Sequence, residues 1–77
     1  MPTILNQNGF RFFFYSNEHD PMHVHIEKGD SVAKFNLIPV DLVKNQGMKS
    51  KELKQIEEII IENQALFISS WKQYFNF

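Results

Sequence analysis

All three histidines of the chain lie in one short stretch, EHDPMHVHIEKGD, residues 18–30. His23 and His25 are separated by one residue, and Glu27 follows at the same spacing. On a strand, residues two apart share a face and sit about 7 Å from one another. Imidazole titrates near neutrality, so either histidine suits proton transfer at pH 7. With Arg11 and Lys34 stabilising phosphate charge, the pair would serve as general acid or base in RNA cleavage. His23, His25, Arg11 and Glu27 are therefore the candidate catalytic residues. Tyr15, Lys34 and His19 are the candidate substrate-binding residues around them.

Two other readings use the same residues. His-x-His on a strand is a usable ligand pair for a divalent metal, with Glu27 or Asp20 adding a carboxylate. The pattern alone is too common to assign a metal or any other cofactor. Alternatively, the face docks protein or nucleic acid without chemistry, or is a solvated surface with histidines tolerated between charges. "HVHI" is similar to the alternating pattern of the histidine-triad nucleotide hydrolases. Glu27 stands where their third histidine belongs, and the long helix comes too late, so that match is rejected.

The elements that must position these groups follow from turn chemistry. Asn8-Gly9 separates TILNQ from FRFFFYS, and Asn-Gly favours a two-residue type I′ hairpin turn. Gly29-Asp30 separates HVHIEK from SVAKFNL, and a leading glycine suits type II′. Asn17 to Pro21 reads as a polar loop between the hairpins. With Gly29-Asp30 as the turn, Lys28 faces Ser31, Ile26 faces Ala33, His25 faces Lys34, Val24 faces Phe35 and His23 faces Asn36. Apolar then meets apolar and polar meets polar, whereas a one-residue slip would mix them. One face carries Phe10, Phe12, Phe14, Val24, Ile26, Ala33, Phe35 and Leu37. The other carries Arg11, Phe13, Tyr15, His23, His25, Glu27, Lys34 and Asn36, and is expected to be open to solvent on the side away from Trp71.

The second half is helical after an ambiguous VDLVKNQG, which reads as a short edge strand or an irregular crossing. Ser50 offers an N-cap and Glu52 lies in the first turn. Leu53, Ile56, Ile60, Phe67, Trp71 and Tyr74 form a stripe at three- and four-residue steps. Glu57, Glu58 and Glu62 read as a water-facing side. A straight helix to Tyr74 would span about 37 Å. Seven-residue strands reach only about 24 Å. The helix must overhang the sheet or break near Glu62-Asn63-Gln64. Ile59 to Ile61 and Leu66 to Ile68 are apolar around more than one face. That surplus suggests a second surface, with Phe67, Ile68, Trp71 and Phe75 as a partner interface in a homo-oligomer or with another protein.

Composition bounds the rest. At 77 residues the chain is one domain, 1–77, and eight Phe supply its core. No cysteine is present, which removes disulfides, thiolate catalysis and Cys-based zinc sites. The formal net charge of −1 excludes a strongly basic nucleic-acid binder but leaves room for a local basic patch. No signal-peptide pattern and no membrane-length apolar run is visible, so a cytoplasmic protein with no membrane partner is expected. The fold expected is α+β: an antiparallel meander of three to five strands with one long or broken C-terminal helix on one face.

Four segments carry a resemblance that covers nearly the whole chain: MPTIL, GFRFFFYSNEHDPMHVHIEKG, the residues of AKF.L.PV.L, and ELKQIEEII.EN...F...W..YF. They are similar to a small bacterial family described as domain of unknown function 4160. Relatives usually carry Pro-Pro before HVH, where Met22 stands here in place of the second proline. Members are commonly encoded beside a second small family, domain of unknown function 2442. The resemblance therefore implies a toxin-like component of a type II toxin–antitoxin module, with a small antitoxin-like protein as partner and RNA as a possible target. It implies no catalytic residues. The alternative is a noncatalytic protein- or nucleic-acid-binding or regulatory module using the same face.

Overall fold

In the computed structural model, which describes residues 3–15 and 21–75, the first half of the chain is a five-stranded antiparallel meander. Strands β1 (Thr3–Gln7), β2 (Phe10–Phe13), β3 (His23–Lys28), β4 (Ser31–Leu37) and β5 (Val40–Gln46) lie side by side in chain order. Asn8 and Gly9 both have positive φ, as a type I′ turn requires. Gly29 alone of its pair does so, as type II′ requires. The expected β3–β4 pairs all form, from Lys28 with Ser31 to His23 with Asn36. VDLVKNQ is a full edge strand, entered through a cis Ile38–Pro39 bond. The loop expected at Asn17 to Pro21 falls largely outside the described residues, and His19 and Asp20 with it.

Two helices, α1 (Ser50–Glu62) and α2 (Gln64–Phe75), cover one face of this sheet. Phe10, Phe12, Phe14, Val24, Ile26, Ala33, Phe35 and Leu37 meet Met48, Ile56, Ile59, Ile60, Phe67 and Trp71 in one buried cluster. Each such side chain contributes about 1.5–3 kcal/mol when fully buried. Ser50 is the first helical residue rather than the cap. Lys49 holds the N-cap position, and its N–H donates to Glu52 Oε1 at 2.9 Å. That bond, supported by the nearby Lys28 ammonium, holds the Glu52 carboxyl below its ordinary range.

The helix breaks at Asn63. Its backbone N–H reaches both Ile59 O and Ile60 O, at 3.0 and 3.2 Å. Its side-chain amide donates to Ile59 O at 2.8 Å. This competition for the last-turn carbonyls ends α1. Asn63 O then accepts from Phe67 N–H and starts α2. Gln64 Nε2 donates to Leu37 O at 2.6 Å, which ties the joint to the end of β4. An unbroken helix of about 37 Å would exceed the longest dimension of the chain, 34 Å. The break instead returns the second half to the same core. Of the four residues expected at a partner interface, two are taken up inside the chain. Phe67 and Trp71 are fully buried within the chain, while Ile68 and Phe75 are partly buried against the core. Tyr74, expected on the buried stripe, is 44% exposed.

Two predictions follow from this packing. Gly47 (φ +94) lies between β5 and α1, and a Cβ there would stand 2.8 Å from Ser31 Oγ and 3.3 Å from Ser31 Cβ. Gly29 (φ +59) has nothing within 4 Å of the same position. Gly29→Ala should cost only the left-handed backbone penalty, about 1–2 kcal/mol. Gly47→Ala should cost more, and Ser31→Ala should return part of the difference. Urea unfolding of the four proteins measures the order, and equal losses at the two glycines would refute the clash. Separately, Trp71→Ala should cost about 3–5 kcal/mol, a large part of the stability of a domain this size. A surface-like loss below about 1 kcal/mol would show that α2 does not seat on this core.

Candidate functional site

The face away from the helices is organised in rows that run across the strands. Arg11 on β2, Glu27 on β3, Val32 on β4 and Gln46 on β5 form one row. Phe13, His25, Lys34 and Lys44 form the next. His23, Asn36 and Asp41 form the third, beyond the end of β2. Neighbouring strands stand about 4.8 Å apart, so the four-residue rows are about 14 Å long.

In the first row the charges satisfy each other. Arg11 Nη1 meets Glu27 Oε1 at 2.8 Å, and Arg11 Nε donates to Thr3 Oγ1 at 2.8 Å. The guanidinium also lies 4.3 Å above the centre of the Phe13 ring. Arg11 and Glu27 thus share the face with the histidines but act on each other. Phe13, although on the open face, is only 3% exposed. Arg11 covers it from one side, while Tyr15 meets it edge-on at 5.4 Å and His25 stacks on it at 5.6 Å.

His25 stands at the centre of the second row. Its ring is 4.3 Å from Tyr15, edge to face, and 5.1 Å from His23. It is partly buried and lines a cavity of about 280 Å³ with Phe13, Tyr15, Lys34, Lys44 and Gln46. Tyr15, 46% exposed, forms the rim. His25, Tyr15 and Lys34 are therefore brought together, as expected. Lys44 and Gln46 join them from a strand whose sequence was ambiguous. Lys34 pairs with Lys44 but Phe35 with Leu42, so Val43 is an extra, bulged residue. The bulge breaks the two-residue alternation that would have placed Lys44 on this face.

His23 departs from expectation. Its register is as derived, yet it is 4% exposed, and its ring lies 5.2 Å from that of Trp71. The physical reason is the length of β2. That strand ends at Phe13, opposite His25, so among the described residues no strand flanks His23 on that side. The ring turns across the sheet end and lies between His25 and Trp71. Its Nδ1 is 2.8 Å from Pro21 O. A carbonyl only accepts, so Nδ1 carries the proton in that contact. His23 belongs with the packing that holds His25 as much as with the open face.

Among the described residues, no three His, Asp or Glu side chains gather closely enough to hold a metal ion. Nor is any helix long and apolar enough to cross a membrane. What the second row can do is bind an anion beside an exposed aromatic ring and offer one imidazole for proton transfer.

No curated protein and no solved structure matches the chain. The model of the family described as Domain of unknown function (DUF4160) matches residues 9–72. That span runs from the first hairpin turn to the residue after Trp71, and it takes in every residue of the second row and the His23 that braces it. This chain belongs to the domain of unknown function 4160 family.

Proposed function

We propose that this chain is the toxin-like component of a bacterial toxin–antitoxin module, acting on RNA in the cytoplasm through the open face of its sheet. A small antitoxin-like protein encoded beside it is the expected partner. The observation that carries this reading is the placement of His25, partly buried among aromatic rings and lining a cavity with Lys34 and Lys44. An open sheet that offers an aromatic ring next to cations suits single-stranded RNA, whose unstacked bases seek such platforms.

In this reading, His25 takes the proton of a ribose 2′-hydroxyl. The freed 2′ oxygen bonds to the adjacent phosphorus, and the bond from phosphorus to the 5′ oxygen of the next nucleotide breaks. That oxygen takes a proton from water. The products are a 2′,3′-cyclic phosphate and a 5′-hydroxyl, and DNA is resistant because it lacks the attacking group. Ammonium groups balance the charge developing on phosphorus. His23 positions the His25 ring and touches no substrate.

A second reading has its own support. His23 is turned toward Trp71, which leaves one histidine rather than two on the cavity. That arrangement favours a face that binds without chemistry.

Induced expression separates the two. His25→Ala leaves the core beneath the helices untouched and should fold with a modestly lowered unfolding midpoint, since Phe13 loses one covering ring, whereas His23→Ala would open a void beside Trp71 and confuse the test. A general acid or base contributes about 10²–10⁴-fold in rate. His25→Ala should therefore abolish growth arrest and the appearance of cyclic-phosphate ends, with wild-type cleavage persisting in chelator. Growth arrest undiminished by His25→Ala would discard histidine chemistry and leave the binding reading.

A further inference from the structure

We infer that Lys34 and Lys44 form a phosphodiester-binding site for single-stranded RNA, with Tyr15 as the platform for the adjoining base; this rests on the RNA-directed reading above. The two lysines are directly paired across β4 and β5. Directly opposed residues on antiparallel strands have Cβ atoms about 5 Å apart, and like charges so placed destabilise the sheet. Among the described residues, neither lysine forms an ion pair. The remaining charges on this face do not relieve them. Glu27 is taken by Arg11 at 2.8 Å. Asp41 lies one row away, opposite Asn36, and bonds to neither lysine.

Two flexible lysine side chains rising from opposed positions can bring their ammonium groups to the two nonbridging oxygens of one phosphate. The cavity they line continues past His25 to Tyr15, which stands at its rim 46% exposed. Phe13 is too deeply covered to stack on a base and serves as the floor. A phosphate at the lysines therefore places its neighbouring base over Tyr15 and its ribose near the imidazole. An acidic peptide could also satisfy the lysines, but its carboxylates bring no flat ring to lay on the exposed face of Tyr15. RNA uses both ends of the cavity.

The test is salt-dependent binding by the full chain. The probe is a fluorescein-labelled 2′-O-methyl oligouridine of about 12 nucleotides, inside the usual site sizes of single-strand binders; the methyl group blocks cleavage. Each phosphate contact to a single strand contributes about −0.7 to the slope of log affinity against log salt. Lys34→Gln/Lys44→Gln should flatten the wild-type slope by about 0.7, the share of one phosphate, equal to about 2.6-fold in affinity between 50 and 200 mM salt. Lys51→Gln/Lys54→Gln on α1, equal in charge removed, should leave the slope unchanged. Tyr15→Ala should weaken binding without changing it. The lysine double variant should also melt at or above the wild-type temperature, since a repulsion is removed. Wild-type RNA binding with a slope that the Lys34/Lys44 variant does not alter overturns this site and spares the RNA reading. An oligouridine that does not bind the wild type overturns both, and lysine-dependent binding of the neighbour-encoded protein in its place would assign the face to an acidic peptide.

Discussion

A seven-residue strand limits how much helix can lie on it. The helical span from Ser50 to Tyr74, about 37 Å if straight, is too long for one straight helix to keep on a sheet of this size. The break at Asn63 removes the conflict, and it is bonded into place rather than left loose. Asn63 caps α1 with its own amide, and Gln64 fastens the joint to Leu37 at the end of β4. Each half-helix is then about 20 Å long, shorter than the sheet it covers. Phe12 meets Phe67 at 5.4 Å and Phe14 meets Trp71 at the same distance, so α2 packs back against the first hairpin and the residue that follows it.

Using both helices on one face leaves the other, among the described residues, without a helix to cover it. The open face closes itself in part. Phe13 is sealed by Arg11, Tyr15 and His25, so the face carries a small cluster of its own. Arg11 and Glu27 neutralise each other at one end. What remains unbalanced is the side toward β5, where Lys34 and Lys44 stand together. Site and scaffold are thus two outcomes of one allocation of apolar surface.

The parts of this arrangement that local chemistry controls were legible in the residues. Gly29-Asp30 sets the β3–β4 register, and matched polarity across it placed His25 opposite Lys34. The parts that depend on where a neighbouring element stops were not. His23 has the parity of the open face, but no local pattern says that β2 ends at Phe13 and frees its ring to meet Trp71. Lys44 was missed because Val43 adds a residue and spoils the alternation. The surplus apolar surface at Phe67 and Trp71 pointed equally to a partner and to a fold-back. The choice between them rests on two side-chain amides, Asn63 and Gln64, whose partners are distant carbonyls as well as local ones.

His23 joins the two faces. Its ring touches Trp71 in the main core and His25 on the open side, at nearly equal distances of 5.2 and 5.1 Å. Its Nδ1–H is held by a backbone carbonyl, so the ring cannot turn without losing that bond. Trp71 is packed between Phe14 and Phe75 and has no acceptor for its Nε1–H among the described residues. A buried unpaired donor costs about 1–3 kcal/mol, and the large apolar ring around it offsets that cost. The seat of α2 therefore sets the position of His23, and His23 limits where the His25 imidazole can stand. A polar residue buried at the end of a short strand passes the rigidity of the core to the imidazole that faces the cavity.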